Sequence, residues 1–208
     1  LVGSEMCIRD SITMVGNANN TNFGDEAIRS TISVLNGQQI AFSGVGTNWE
    51  EACKPALKTI HGIRVGLIQR TSVYWPSNHE ASALHPGVAT VKIHTAYSPK
   101  IDGYASNRPG TPPDIFTWVD SKYLKDLVTQ IQKLRESNDI LIASFHWGYK
   151  EEILDYMREI AHAAIDAGAD IILGHGPHMP LPPEIYKSKP VFYGAGSFVF
   201  HNGHRGKV

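Results

Sequence analysis

Three polar clusters in this chain each follow directly on an apolar run. His146 follows DILIASF, and His175 and His178 sit three apart in GHGPHMP after DIIL. Asn17, Asn19 and Asn20 follow the short run ITMV. Neutral imidazoles beside side-chain amides suit a borderline divalent transition metal, and an imidazole can also move a proton near neutral pH. Two histidines three apart on a loop bent by Gly and Pro can point into one cavity, and His146 can join them from a neighbouring strand. Taken singly each piece reads as ordinary structure. His146 beside Trp147 is a hydrogen-bonded, partly buried histidine, 174–178 a turn rich in Gly and Pro, and Asn19-Asn20 a turn or helix-entry pair. The coincidence of three clusters on one predicted edge shifts the balance, because ligands of open α/β sheets collect at the carboxyl ends of strands.

The elements that must place these residues follow from periodicity. Residues 12–15 form a strand broken by the Asn-rich loop. Asp25 opens a helix with Ile28, Thr31, Ile32 and Leu35 on one face and Gly37 at its end. Residues 39–43 form a strand, 48–54 a short helix stopped by Pro55, and 57–61 with 63–71 a hairpin around Gly62. Residues 72–116 are irregular, with one alternating stretch at 88–97. A segment of that length in a compact domain is usually functional, and it is expected to form a flap over the polar edge without a core of its own. Ser121 caps a helix with Leu124, Leu127, Val128, Ile131 and Leu134 spaced three and four apart. Residues 139–145 are a buried strand, 151–167 a helix ended by Gly168, and 170–173 a second buried strand. Residues 190–193 and 197–200 are the last strands. All-apolar strands alternating with helices mean an α/β layered fold around a largely buried sheet.

Composition bounds the remaining choices. The chain has 208 residues, 42% of them hydrophobic, 19% charged, and a net charge of −1. That is one globular domain, without the basic excess of a dedicated nucleic-acid binder. Two cysteines, Cys7 and Cys53, make neither a disulfide framework nor a four-cysteine zinc site. No run approaches the length of a membrane helix. Residues 1–10, LVGSEMCIRD, carry no signal-peptide architecture and resemble an adaptor-derived leader. Residues 11–208 are then one partial domain, with native sequence opening already inside a strand. Gly44-Val45-Gly46 and Gly194-Ala195-Gly196 lack the strand-to-helix pattern of a phosphate loop and read as turns. His94 and His162 lie on a strand and a helix as structural residues, and His201 and His204 belong to a glycine-rich tail.

Residues 139–200 resemble the C-terminal half of the poly-γ-glutamate capsule-biosynthesis (CapA-type) family, whose fold is of the calcineurin-like metallophosphoesterase type. The resemblance rests on SFHWGYKEE, AHAAIDAGAD, GHGPH, PPEIYKSKP and VFYGAGSFVF, and more weakly on ANNTNFGDEAI and SGVGTNWEEA. It implies a layered metallophosphoesterase-like fold, incomplete at the N-terminus, and a divalent metal (Mn, Zn or Fe, one or two ions). By resemblance Asn20, His146, His175 and His178 are the metal candidates. Asn19 orients substrate or solvent, His146 or His178 protonates a leaving group, and Glu184 and Tyr186 either support the GHGPH loop or serve the structure alone. The chain departs from the family pattern at Thr21, where relatives carry histidine, at Gly176, where many carry another histidine, and at Ser197. The Gly-Asp strand that supplies a metal-binding carboxylate is missing, which limits the chain to at most one tightly bound metal.

The favoured expectation is a metal-dependent hydrolase of a phosphoester or related bond, with an anionic small-molecule or polymer substrate. The alternative is a non-catalytic accessory that holds an anionic polymer during its synthesis or export, since fold does not decide function. A third reading is a carbohydrate- or peptide-binding module served by Tyr74, Trp75, Tyr97 and Tyr104. The resemblance implies a cell-envelope or extracytoplasmic location and leaves a cytoplasmic one open, with membrane association only through a segment outside this sequence.

Overall fold

The computed structural model describes residues 12–75, 79–100, 108 and 110–197. Its centre is a six-stranded mixed sheet in the order β11-β12-β10-β9-β5-β4. The strands are β4 (Ala56–Ile60), β5 (Ile63–Thr71), β9 (Ile140–His146), β10 (Ile171–His175), β11 (Glu184–Tyr186) and β12 (Lys189–Phe192). The inner strands β5, β9, β10 and β12 run parallel, while β4 and β11 return antiparallel as the edges. Parallel strands have both faces covered and so read as continuous apolar runs, which is how ILIASFH and IILGH look in sequence. The β4–β5 hairpin turns through His61 and Gly62, both at positive φ.

Short strands complete the layers. β1 (Met14–Gly16) pairs in parallel with β2 (Ala41–Ser43), and this pair lies against β4 and β5. β3 (Val45–Gly46) pairs with β6 (Gly87–Val88), and β7 (Ile93–Ser98) with β8 (Asp114–Val119). Helix α1 (Asp25–Gly37) packs Ile28 and Ile32 against Ala18, Phe42, Val45 and Val88. Helix α2 (Trp49–Ala52) is capped by Asn48, whose side chain accepts from the Glu51 N–H. Helices α3 (Ser121–Arg135) and α4 (Asp155–Asp166) cover the main sheet. Leu127, Ile131, Met157, Ile160, Ala161 and Ala164 meet Leu141, Ala143, Phe145 and Ile172 in the principal core.

The sequence reading needs several corrections. Asp120, not Ser121, caps α3, accepting from the N–H groups of Lys122 and Tyr123. Helix α4 starts at Asp155 rather than at 151, because Leu154 is extended and the Tyr156 N–H is met by Thr117 Oγ1 from β8. The irregular 72–116 stretch contains most of a hairpin, β7 with β8, together with β6. Its residues Ala81, Val88, Ala89 and Val91 are buried with the rest of the protein. β11 was not foreseen. Ser197 is not in a strand, and 198–200, Tyr104, His201 and His204 lie outside the described residues.

Candidate functional site: a histidine pair on the carboxyl edge

Strands β9 and β10 end together, with His146 and His175 in register as Cα partners. Their imidazole centroids lie 5.1 Å apart at a tilt of 51°. His146 is buried. Its Nδ1 meets Thr71 Oγ1 at 3.0 Å, and the same hydroxyl lies 2.9 Å from the Val73 carbonyl. With that hydroxyl donating to Val73, His146 carries its proton on Nδ1 and gives it to Thr71. Trp147, directly beyond, is fully buried between Phe145 and Tyr193 and donates from Nε1 to the Tyr193 carbonyl at 2.8 Å. This packing anchors the end of β9.

His175 is held from the other side of β9, by β5. Gln69 is buried, with Oε1 accepting the Ala18 N–H at 2.6 Å. Its Nε2 lies 2.7 Å from His175 Nε2 and 3.3 Å from Ser144 Oγ. Gly16 has no side chain because a Cβ there would overlap the Gln69 amide. One buried glutamine thus ties the Asn-rich loop to the histidine pair.

His178 follows on a turn whose Gly176 and His178 both have positive φ, 128° and 60°. Its side chain is exposed, and Nδ1 lies 3.2 Å from Ser197 Oγ. It stands close enough to act electrostatically on both His146 and His175. Burial pushes His146 down to about 3, helped by His175, His178 and His79. Burial and His178 push His175 down to about 4. Both imidazoles are neutral at physiological pH, and the titratable groups acting on them are other histidines.

The Asn loop is placed differently from the histidines. Asn19 Oδ1 accepts from the Thr21 N–H and hydroxyl, so it closes its own turn, and Asn20 is exposed. Asn17 is the member turned inward. Its Nδ2 is buried and, among the described residues, has no hydrogen-bond partner. Two residues that sequence reasoning missed organise this loop. Gln69 is one and His79 is the other, fully buried, accepting the Trp75 N–H on Nδ1 and donating from Nε2 to the Asn22 carbonyl at 2.8 Å. Neither carries a sequence signal. Gln69 interrupts an apolar strand and His79 sits in a segment without periodicity.

The remaining histidines are structural in their contacts. His94 stacks on Trp118 and meets Asp120 at 3.1 Å. His162 stacks on Tyr186 at 3.8 Å and pairs with Glu184, whose other oxygen accepts from Tyr193. Glu184 and Tyr186 therefore brace α4 and β12. Trp75 and Tyr97 are 65% and 68% exposed, and Tyr74 is half-buried.

A metal fits this arrangement incompletely. Among the described residues, no group of three or more His, Cys, Asp or Glu side chains is placed to hold an ion. Catalytic zinc usually takes three protein ligands. The histidine pair supplies two imidazoles, and two of their four ring nitrogens are already engaged, His146 Nδ1 by Thr71 and His175 Nε2 by the Gln69 amide.

Residues 7–202 match the family model described as bacterial capsule synthesis protein PGA_cap. The chain is 27% identical over 201 residues to the PGA biosynthesis protein CapA of Bacillus subtilis (strain 168), covering 93% of this chain and 44% of that protein. It is 26% identical over 199 residues to the capsule biosynthesis protein CapA of Bacillus anthracis, covering 92% and 41%. It is 28% identical over 197 residues to a probable polyglutamine synthesis accessory protein of Mycobacterium tuberculosis (strain H37Rv), covering 92% and 46%. The chain spans less than half the length of these curated relatives.

Proposed function

Since this chain belongs to the bacterial capsule synthesis protein family, we propose that it is an accessory module of capsule-polymer synthesis whose histidine edge holds an anionic chain. The observation that carries this reading is the makeup of the edge, where His146 and His175 lie 5.1 Å apart and, among the described residues, no carboxylate enters their hydrogen bonds. The titratable groups acting on both rings are other histidines, so a negative group entering the edge meets N–H donors and no opposing carboxylate. The name of the M. tuberculosis relative, an accessory protein, points the same way.

A metal-dependent hydrolase is the second reading, favoured by the adjacency of His146 and His175 at the ends of two parallel strands. It requires further ligands, and it requires Gln69 to release His175 Nε2. His178, Asn20 and Asn19 belong to this reading as the metal and substrate contacts implied by family resemblance.

Equilibrium binding of a γ-linked glutamate oligomer to the chain, with EDTA or with added manganese or zinc, separates the two. The accessory reading expects binding that EDTA leaves unchanged and no release of shorter oligomers. Binding or cleavage only in the presence of metal supports the hydrolase.

A further inference from the structure

The Gln69 amide is fully used, and that fixes more than its own position. A backbone N–H can only donate, so the 2.6 Å contact from Ala18 identifies the facing atom as Oε1. Nε2 then points at His175 Nε2 at 2.7 Å, with its second hydrogen available to Ser144 Oγ at 3.3 Å. An amide N–H donates, so His175 Nε2 is the acceptor and must be unprotonated. The neutral ring therefore carries its proton on Nδ1. The glutamine has little freedom to turn over, because turning would set its NH2 against the Ala18 N–H and its carbonyl against a lone pair. It is also enclosed, with Ser43 Oγ accepting the Gln69 N–H behind it and the bare Cα of Gly16 beside it.

We propose that Gln69 is a specificity-determining residue that locks His175 in the Nδ1–H tautomer, so that the ring offers incoming ligands a donor and withholds its Nε2 lone pair. The consequence is selection by chemical class. A ligand that presents an oxygen acceptor, such as a carboxylate, meets Nδ1–H without any proton being moved. A divalent cation must first displace the amide from Nε2 or strip the proton from Nδ1. The tautomer stands on the geometry alone, whereas its use in selecting an anionic chain rests on the function proposed above.

The test is the nitrogen spectrum of the imidazoles in the 15N-labelled 208-residue chain at neutral pH, for wild type, Q69E and Q69A. His79 serves as an internal reference, since its contacts assign it the Nε2–H form. Wild-type His175 is expected as the Nδ1–H tautomer. In Q69E the carboxylate can only accept, so the proton is expected on Nε2 while His79 stays unchanged. Zinc titration provides the second readout, with Q69A expected to bind at least tenfold more tightly than wild type. Because Q69A leaves the Ala18 N–H unmet and can lose stability, the wild-type spectrum and Q69E carry the tautomer claim without it. A wild-type His175 in the Nε2–H form, an unchanged His175 in folded Q69E, or equal zinc affinity of folded Q69A and wild type overturns the proposal. A correct tautomer with no oligomer binding leaves the lock in place and rejects the accessory reading instead.

Discussion

His146 and His175 are register partners on β9 and β10, with their rings 5.1 Å apart. Two parallel strands that end in histidine at the same level force the imidazoles together, and burial keeps both uncharged. The pair is therefore a source of acid sensitivity. An unfolded histidine takes a proton near pH 6.5, whereas these take theirs near 3 and 4. Between about 6.5 and those values the unfolded chain binds more protons than the folded one, so stability falls as pH falls. At about 1.4 kcal/mol per pKa unit, the pair loses on the order of a few kcal/mol between pH 6.5 and pH 5. Urea unfolding at pH 7.5 and pH 5 should show the loss in wild type and a clearly smaller one in H146Q/H175Q. Equal losses count against this origin.

Gly176 holds a turn whose backbone leaves no room for a side chain. Its φ is 128°, and a Cβ there would overlap the Trp147 carbonyl oxygen. G176H is expected to destabilise by ~2 kcal/mol or more, since strained φ and overlap with backbone act together. Urea midpoints of G176H against wild type measure it. An unchanged midpoint means the turn adapts to a side chain.

Sequence patterning located the strands that matter most. DILIASF and DIIL read correctly as buried strands because parallel strands covered on both faces are apolar throughout, and that alone set His146 and His175, which follow them, on one edge. The start of α4 was misread because its first turn is met by Thr117, 39 residues away. Gln69 was invisible for the same reason, since its partners Ala18, Ser144 and His175 are 51, 75 and 106 residues distant. No local pattern marks a glutamine as the fastener of a site. Asn17, Asn19 and Asn20 read alike in sequence, and only the packing of Ala18 and Asn22 shows that Asn17 is the one turned inward.

His79 pins the Asn loop by joining the Trp75 N–H to the Asn22 carbonyl. H79A removes both bonds inside a fully buried site. The expected cost is about 1–3 kcal/mol, with faster amide exchange concentrated in residues 17–24. Hydrogen exchange of wild type and H79A checks both size and location. A loss of protection spread evenly over the chain shows that His79 supports the core rather than the loop.

The central claim is that this edge accepts an anionic oxygen ligand rather than a metal-bridged one. An anion that meets Nδ1–H moves no proton while both rings titrate near 3 and 4, so its affinity is flat between pH 8 and pH 6 and needs no metal. A metal-bridged ligand is held only while the ion is bound, so a chelator abolishes its affinity. The decisive measurement is the dissociation constant of a γ-linked glutamate oligomer for the EDTA-treated chain between pH 8 and pH 6, with H146Q/H175Q as reference. Binding that is flat over this range in wild type and at least tenfold weaker in the double variant is the predicted result. Binding that is absent until metal is added, or equal in the double variant, contradicts it.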